Sequence, residues 1–159
     1  MSMKRKLRKS DYKSLNLYYL SDYTSGSGYC YYPYSPVSPA EDNFYIDGCI
    51  MGSWTVPGGG NIAFSTEKIT VHEVGLWHNL IHTFDGNNCN GPNDHVDDTP
   101  AEGYNASGCD TGRDTCPSHP GLDPIYNHMD YSDDYCRTEF TSGQIQRMQS
   151  SWKQYRASS

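Results

Sequence analysis

The sequence has no long hydrophobic run. None of its apolar stretches approaches the roughly 20 residues that a membrane-spanning helix needs. The first twenty residues also contain no apolar segment that could form the core of a secretory signal peptide. We therefore expect no membrane insertion, and we expect the export signal to be absent from this chain.

Basic residues are scarce after position 13. Half of the 12 lysines and arginines lie within residues 4–13, whereas residues 14–159 carry six basic and 18 acidic side chains, a net charge of −12. A body this acidic disfavours nucleic acid and anionic membranes as partners and favours divalent cations or basic peptide segments. The basic segment itself is typical of a solvated helix face.

Apolar residues make up only 35% of the 159 positions, and only four of them are phenylalanine. The chain is long enough for one domain, but its core must be thin. Fourteen tyrosines, 15 glycines and six cysteines are typical of a loop-rich secreted protein that disulfides hold together. The sequon formed by Asn105, Ala106 and Ser107 marks Asn105 as a glycosylation site and agrees with secretion, although such triplets also occur by chance.

The six cysteines are predicted to form disulfides rather than to bind a metal. None of them has the C-x-x-C spacing of a zinc knuckle or a redox motif. Spacing alone allows fifteen ways of pairing six cysteines, so the connectivity stays open at this point.

Hydrophobic patterning predicts few regular elements. Residues 14–21 and 44–51 are predicted strands, and residues 66–80 a helix with Thr66 or Thr70 as its N-cap. Asn79 is suited to the left-handed conformation that ends a helix. Residues 84–134 are rich in turn-forming residues, and residues 140–156 form an amphipathic helix capped by Thr141.

Residues 72–82 read His-Glu-Val-Gly-Leu-Trp-His-Asn-Leu-Ile-His, close to the helix of a zinc protease. In a His-Glu-x-x-His helix the two histidines share one face and bind one Zn²⁺, while the glutamate faces the bound water. Here the second histidine is replaced by Leu76. His78 cannot substitute for it, because it lies roughly 240° around the helix from His72.

Several ordered motifs resemble the pappalysin-like metzincin endopeptidases in their fungal secreted form. The similarity runs from about residue 4 to residue 156. Its segments are Leu15-Asn16-Leu17-Tyr18, Thr55-Val56-Pro57-Gly58-Gly59, residues 71–84, Val96-Asp97-Asp98-Thr99-Pro100, Asp114-Thr115-Cys116-Pro117, Gly121-Leu122-Asp123-Pro124, Asn127-His128-Met129-Asp130-Tyr131 and Phe140-Thr141-Ser142-Gly143-Gln144.

The resemblance implies an α/β (α+β) metzincin-like fold. It would comprise a twisted mixed sheet with an active-site helix, followed by an irregular, disulfide-stapled subdomain that ends in a helix. Residues 1–159 would form a single catalytic domain, with an upper subdomain of about 1–84 and a lower one of about 85–159. Relatives carry a further strand and backing helix before the segment that matches residues 4–13, so we expect a sheet of few strands with an uncovered face.

The resemblance also assigns roles to single residues. It makes His72 and His82 zinc ligands, Glu73 the general base, Met129 the Met-turn beneath the metal and Tyr131 the donor to the oxyanion. For each histidine the alternative is an ordinary core residue, and for Met129 it is core packing. The implied disulfides are Cys89–Cys116, Cys109–Cys136 and Cys30–Cys49.

The loss of the second ligand decides the expected activity. A catalytic zinc site needs three protein ligands, so with two we expect zinc to bind weakly or not at all. His128, which stands where the family usually has tyrosine, is a candidate replacement ligand, with an exposed histidine as the alternative.

The functional hypothesis is a secreted, monomeric zinc endopeptidase of impaired activity that binds an extended peptide along an edge strand. The competing hypothesis is an inactive pseudoprotease or a truncated peptide-binding module.

Acidic loops suggest calcium as a second cofactor. No EF-hand loop is present, and solvated aspartates are the alternative. The oxygen donors would come from Asp94, Asp97, Asp98, Asp110, Asp114, Asp123, Asp130, Asp133 and Asp134.

Overall fold

The computed structural model describes residues 2–34, 38–64 and 66–157. Its elements are α1 (Ser2–Leu7), β1 (Leu17–Leu20), β2 (Gly28–Cys30), α2 (Asp42–Ile46), β3 (Cys49–Gly52), α3 (Lys68–Trp77) and α4 (Ser142–Tyr155). Short 3-10 turns at Ser53–Thr55 and Ile62–Phe64 lie between β3 and α3. The fold is α+β, as predicted: sheet and zinc-protease-like helix come first, and a long irregular region leads to the last helix.

The described part of the chain forms a three-stranded mixed sheet in the order β1-β3-β2. β1 is parallel to β3 with Tyr18 opposite Ile50, and β2 is antiparallel to β3 with Cys30 opposite Cys49. All four residues of β3 are buried, so the sheet has few strands as expected, but its central strand does not show the uncovered face that was also expected. β2 lies at the edge of this sheet.

Helix α3 packs against the sheet through an apolar cluster. Ile69 and Trp77 contact Cys49 and Met51 of β3, and Trp152 of α4 packs against the same cluster. A helix was predicted here over residues 66–80, and Asn79 has the predicted left-handed conformation, at φ 72°. The position of α3 beneath the sheet fixes the direction in which its histidine and glutamate point.

The predicted N-caps of α3 are wrong. The helix begins after Glu67, which has a φ of 69° and makes no side-chain cap. Thr66 instead donates hydrogen bonds from its backbone N–H and its hydroxyl to Asp134, both at 3.0 Å. Thr70 lies inside the helix, where its hydroxyl contacts the hydroxyl of Tyr19 at 2.7 Å. Long-range partners have therefore replaced the local cap.

The predicted strand over residues 44–51 is wrong in its first half. Residues Asp42–Ile46 form α2, and only Cys49–Gly52 form a strand. Gly48, with a φ of +88°, separates the two. A short apolar run does not distinguish helix from strand by periodicity, and here the burial of Phe44 against Tyr12 is achieved by a helical turn.

The basic N-terminal segment is not simply a solvated helix face. Lys4 is only 4% exposed, and its ammonium donates to the carbonyls of Ile46, Asp47 and Gly48 at 2.6, 3.3 and 3.0 Å. Burial lowers the pKa of Lys4 to about 8. Arg8 pairs with Asp47 at 3.1 Å, and both side chains are 2% exposed. Two of the basic residues are therefore structural.

Three disulfides hold the described chain, at Cys30–Cys49, Cys89–Cys116 and Cys109–Cys136. These are the pairs that the family resemblance implies. The last two close the irregular region, where few backbone groups bond in regular elements. The first joins β2 to β3 beside helix α3, so the edge strand is fixed covalently to the centre of the sheet.

Helix α4 begins with the predicted Thr141 cap. Thr141 and Gln144 form a reciprocal capping box, in which each side chain accepts a hydrogen bond from the other residue's backbone N–H. The buried Gln144 also accepts from Asn127 at 2.8 Å and donates to Asp94 at 3.0 Å. The cap therefore anchors α4 to the segment that carries Met129.

No helix in the described ranges combines the length and apolar character that crossing a membrane requires.

Candidate functional site

A cleft of about 590 Å³ opens between the edge strand β2, helix α3 and the irregular region. Its walls carry most of the residues to which the sequence pointed. The lining residues used below are Gly28 and Tyr29 of β2, His72, Glu73 and Leu76 of α3, His82 just beyond that helix, Asn105–Ser107 of the irregular region, and Tyr131.

Two imidazoles converge in this cleft. The Nε2 atoms of His72 and His82 are 3.1 Å apart, and their rings are stacked with centroids 5.0 Å apart. Two nitrogens bound to one tetrahedral zinc at about 2.0–2.1 Å would be about 3.3 Å apart, so the observed spacing suits a shared metal ion. Without a metal, one ring can donate its hydrogen to the other.

A backbone carbonyl sets the tautomer of His72. Its Nδ1 lies 2.7 Å from the carbonyl oxygen of His128, which can only accept, so Nδ1 carries the hydrogen and Nε2 presents a lone pair to the cleft. Burial lowers the pKa of His72 to about 3, and the neighbouring His82 contributes to that decrease. Burial also lowers the pKa of His82. Both rings are therefore neutral near pH 7, the form that binds metals.

Leu76 occupies the position of the motif's second histidine, the one imidazole that is missing. It lies one helical turn after His72, lines the same cleft and is 8% exposed. Its side chain packs with Leu80 and Met129. An apolar group therefore points to the place where a nitrogen donor is needed.

Neither His78, which the sequence analysis excluded, nor the candidate His128 has its ring among the residues that line the cleft. His78 packs between Trp77 and Trp152, with ring centroids 4.9 and 5.9 Å away, outside the residues that line the cleft. The ring of His128 lies against Phe140, with centroids 4.9 Å apart, and is also outside that lining. His128 contributes its carbonyl group to the site.

The residues present do not fit a complete catalytic zinc centre. Such a centre has three protein ligands and one open position, and this cleft offers two imidazoles. Within residues 2–34, 38–64 and 66–157, no group of three or more His, Cys, Asp or Glu side chains could hold a metal ion. What the cleft retains is two adjacent nitrogen donors.

The same observation leaves calcium without support from the described residues. Several of the aspartates named as donors bind protein groups instead. Asp98 accepts from the hydroxyl of Ser142 and the backbone N–H of Gly143, and Asp123 accepts from Arg113 and Thr115. Calcium stays a prediction.

Glu73 faces the cleft from the same helix. It is 5% exposed, and one carboxylate oxygen, Oε2, has no hydrogen-bond partner among the described residues. Burial raises the pKa of Glu73 to about 7, although a hydrogen bond from the backbone N–H of Cys30 opposes the shift. A carboxylate with such a pKa is suited to accepting a proton near neutral pH.

Tyr131 covers the histidine pair from the other side. Its hydroxyl lies 3.5 Å from Nε2 of His82, and its ring packs against the rings of His72, His82 and Phe84. Tyr131 lines the cleft, and the residue is 46% exposed.

Met129 is fully buried beneath α3, and Gly75 makes room for it. A Cβ atom added at Gly75 would lie 2.5 Å from the Met129 sulfur. Gly75→Ala is therefore expected to lower the free energy of unfolding by up to about 2 kcal/mol, since overpacking typically costs about 1–3 kcal/mol and helix propensity regains only about 1 kcal/mol. Urea unfolding followed by circular dichroism would measure the change.

Gly112→Ala is the control for that substitution, because no heavy atom lies within 4 Å of a Cβ added there. If Gly75→Ala lowers the free energy of unfolding no more than Gly112→Ala does, the Met129 side chain does not limit the space at Gly75.

Known proteins resemble this chain in sequence and in fold. Residues 5–153 match the peptidase family M43, described as pregnancy-associated plasma protein-A. The chain is 53% identical over 157 residues to an extracellular metalloprotease of Neurospora crassa, and 54% identical over 157 residues to one of Pyricularia oryzae. These alignments cover 99% and 98% of this chain and 54% of each relative. Mature mirolysin of Tannerella forsythia, solved with a cleaved peptide, superposes with a TM-score of 0.75 at 27% identity, over 94% of this chain and 59% of that one.

The fold is of the metzincin type, and the matching sequences are those of metalloproteases. The chain belongs to the pregnancy-associated plasma protein-A peptidase family, which confirms the resemblance predicted from its motifs. It spans about half the length of the curated relatives named above.

Sequence reasoning missed the groups that hold the site residues in place. The His128 carbonyl and the Cys30 N–H are backbone atoms, which no side-chain motif reveals. The part played by Gly28 and Tyr29 in lining the cleft was missed, because β2 was not among the predicted strands.

Proposed function

We propose that this chain is a secreted, monomeric member of the metalloendopeptidase family that binds extended peptides in its cleft and hydrolyses them poorly. The proposal depends on one observation: two imidazole nitrogens converge at 3.1 Å while Leu76 occupies the position of the second zinc ligand. Three disulfides and relatives named as extracellular support secretion.

Peptide binding requires only groups that are intact. β2 is the edge of the described sheet, and its Gly28 and Tyr29 line the cleft. An extended peptide can pair with the backbone of such an edge and leave its side chains in the cleft. Mature mirolysin, to which this chain is similar in fold, was solved with a cleaved peptide, which supports peptides as the ligands of the cleft.

Hydrolysis requires more than this chain supplies. A zinc ion held by three ligands polarises a carbonyl and lowers the pKa of bound water to about 7. In this chain Glu73 would accept a proton from water, and Tyr131 would donate a hydrogen bond to the oxygen of the attacked carbonyl. With two nitrogen donors the affinity for zinc is low. Glu73 and Tyr131 therefore contribute to hydrolysis only in the small fraction of protein molecules that hold zinc.

A peptide-binding module without turnover is the second candidate. It is favoured by the survival of the cleft and of the edge strand where a metal ligand is lost. A quenched-fluorescence peptide library separates the two: the proposal predicts saturable binding with slow cleavage that chelators abolish. Binding with no cleavage above buffer would favour the module, and no binding at all would contradict both.

The role of Glu73 is tested best in a chain whose second zinc ligand has been restored by Leu76→His and His78→Leu. There, Glu73→Gln is expected to lower kcat by about 10²–10⁴-fold, because it removes the proton acceptor, while zinc content is unchanged. Peptide turnover and bound zinc would be measured on the same samples. Activity that survives Glu73→Gln would show that another group takes the proton.

A further inference from the structure

The glycosylation sequon lies in the wall of the cleft. Asn105, Ala106 and Ser107 all line it, as do Tyr131 and the edge-strand residues Gly28 and Tyr29. Asn105 and Ser107 are exposed, whereas Ala106 is 2% exposed. A sugar attached to Asn105 would therefore begin at the cleft and not on a distant surface.

The backbone of this segment is held firmly. The guanidinium of Arg113 donates to the carbonyls of Tyr104 and Asn105 at 2.6 and 3.0 Å. The backbone N–H of Ala106 donates to the buried carboxylate of Asp130 at 3.1 Å, and Asp130 directly follows Met129. The sequon is thus tied to the segment that lies beneath the histidine pair, so a glycan on it has a fixed starting point.

The amide that would carry the sugar is hydrogen-bonded to the backbone of the sequon itself. Nδ2 of Asn105 donates a hydrogen bond to the carbonyl of Ala106 at 3.1 Å. In N-glycosylation, Nδ2 forms a bond to C1 of an oligosaccharide, the bond from C1 to the pyrophosphate of its lipid carrier breaks, and Nδ2 loses one proton. The remaining N–H can keep the bond to Ala106, which would hold the first sugar near the cleft wall.

We propose that an N-linked glycan on Asn105 partly covers the cleft and restricts it to thin, extended peptide segments. An N-linked glycan is bulky and hydrated, so it excludes folded protein surfaces from a cleft whose rim it occupies. The proposal rests on the proposed function in two respects, namely passage through the secretory route and use of the cleft by peptides.

Occupancy is tested by intact-mass spectrometry of the chain secreted from a glycosylating eukaryotic host. We expect added glycan mass on the wild-type chain and on Ser107→Thr, which keeps the sequon. Asn105→Gln and Ser107→Ala should both lack it. A wild-type chain secreted without the glycan would overturn the proposal.

Cleft coverage is tested by hydroxyl-radical footprinting of Tyr131, which lines the cleft and is 46% exposed. Its oxidation rate should be lower by about half in the glycosylated wild type than in Ser107→Ala, since the glycan screens one side of the ring. Tyr135, 68% exposed and outside the lining, should oxidise equally in both. Equal rates at Tyr131 would show that the glycan points away. Neither readout involves zinc or hydrolysis, so a failed peptidase activity would not be mistaken for a failure of this proposal.

Discussion

Restoring the histidine one turn after His72 is expected to convert a weak metal site into a functional one. In the double variant Leu76→His, His78→Leu we expect about one bound zinc per chain and peptide hydrolysis raised by at least about 100-fold. Loss of a residue that only supports a metal ligand typically lowers metal affinity or activity by about 10- to 100-fold, and loss of a direct ligand lowers them further.

The structure explains why both exchanges are needed. The side chain of residue 76 already lines the cleft with His72 and His82, so an imidazole there would point to the shared metal position. Residue 78 packs between two tryptophans, where leucine suits the apolar surroundings better than a histidine whose pKa burial has lowered. The imidazole introduced at position 76 loses apolar packing against Leu80 and Met129, and zinc binding to the folded state offsets that loss.

His78→Leu alone is the matched control and should leave zinc content and turnover at the wild-type level. Zinc would be measured by plasma mass spectrometry, and turnover with the quenched peptide library. A folded double variant that gains neither would place the defect somewhere other than position 76.

Asp47→Asn is expected to lower the free energy of unfolding by about 3–5 kcal/mol, the usual result of removing one partner from a buried ion pair. Asp47 is 2% exposed and accepts from Arg8 at 3.1 Å, from Arg156 at 3.0 Å and from the Trp77 indole at 2.9 Å. It thus joins the N-terminal segment, the end of α3 and the end of α4. A loss of this size is a large part of the roughly 5–15 kcal/mol that stabilises a typical domain.

The matched control for Asp47 is Asp42→Asn. Asp42 also pairs with an arginine of the N-terminal segment, Arg5, but these side chains are 66% and 47% exposed. An exposed pair contributes about 0–1 kcal/mol, so urea unfolding at pH 7 should separate the two variants clearly. Equal losses would show that Asp47 does not connect these elements.

Local patterns predicted the elements whose signals are local. Helix α4 follows from its apolar spacing and from the Thr141 cap, and the end of α3 follows from Asn79. The helix at residues 42–46 was not predictable, because a run of three apolar residues suits either helix or strand. The burial of Lys4 and Arg8 was missed because their partners lie some 40 residues away, at Ile46–Gly48.

Much of the candidate site was visible in the motif spacing and the family resemblance. They pointed to His72, Glu73, His82, Met129 and Tyr131, which the structure places in or directly beneath one cleft. They also showed that Leu76 replaces the second histidine of the zinc-protease motif. The orientation of each ring depends on backbone groups and distant packing, which spacing does not encode. The ring of His128 shows this, because it turns to Phe140 while its carbonyl binds His72.

The affinity of the purified wild-type chain for zinc tests the central claim most directly. Equilibrium dialysis against buffered Zn²⁺, with the double variant in parallel, would measure it. The two-imidazole site predicts that the wild type holds well under one zinc per chain at concentrations that saturate the variant. One zinc held by the wild type as tightly as by the variant would mean that a third donor completes the site, and would contradict the account.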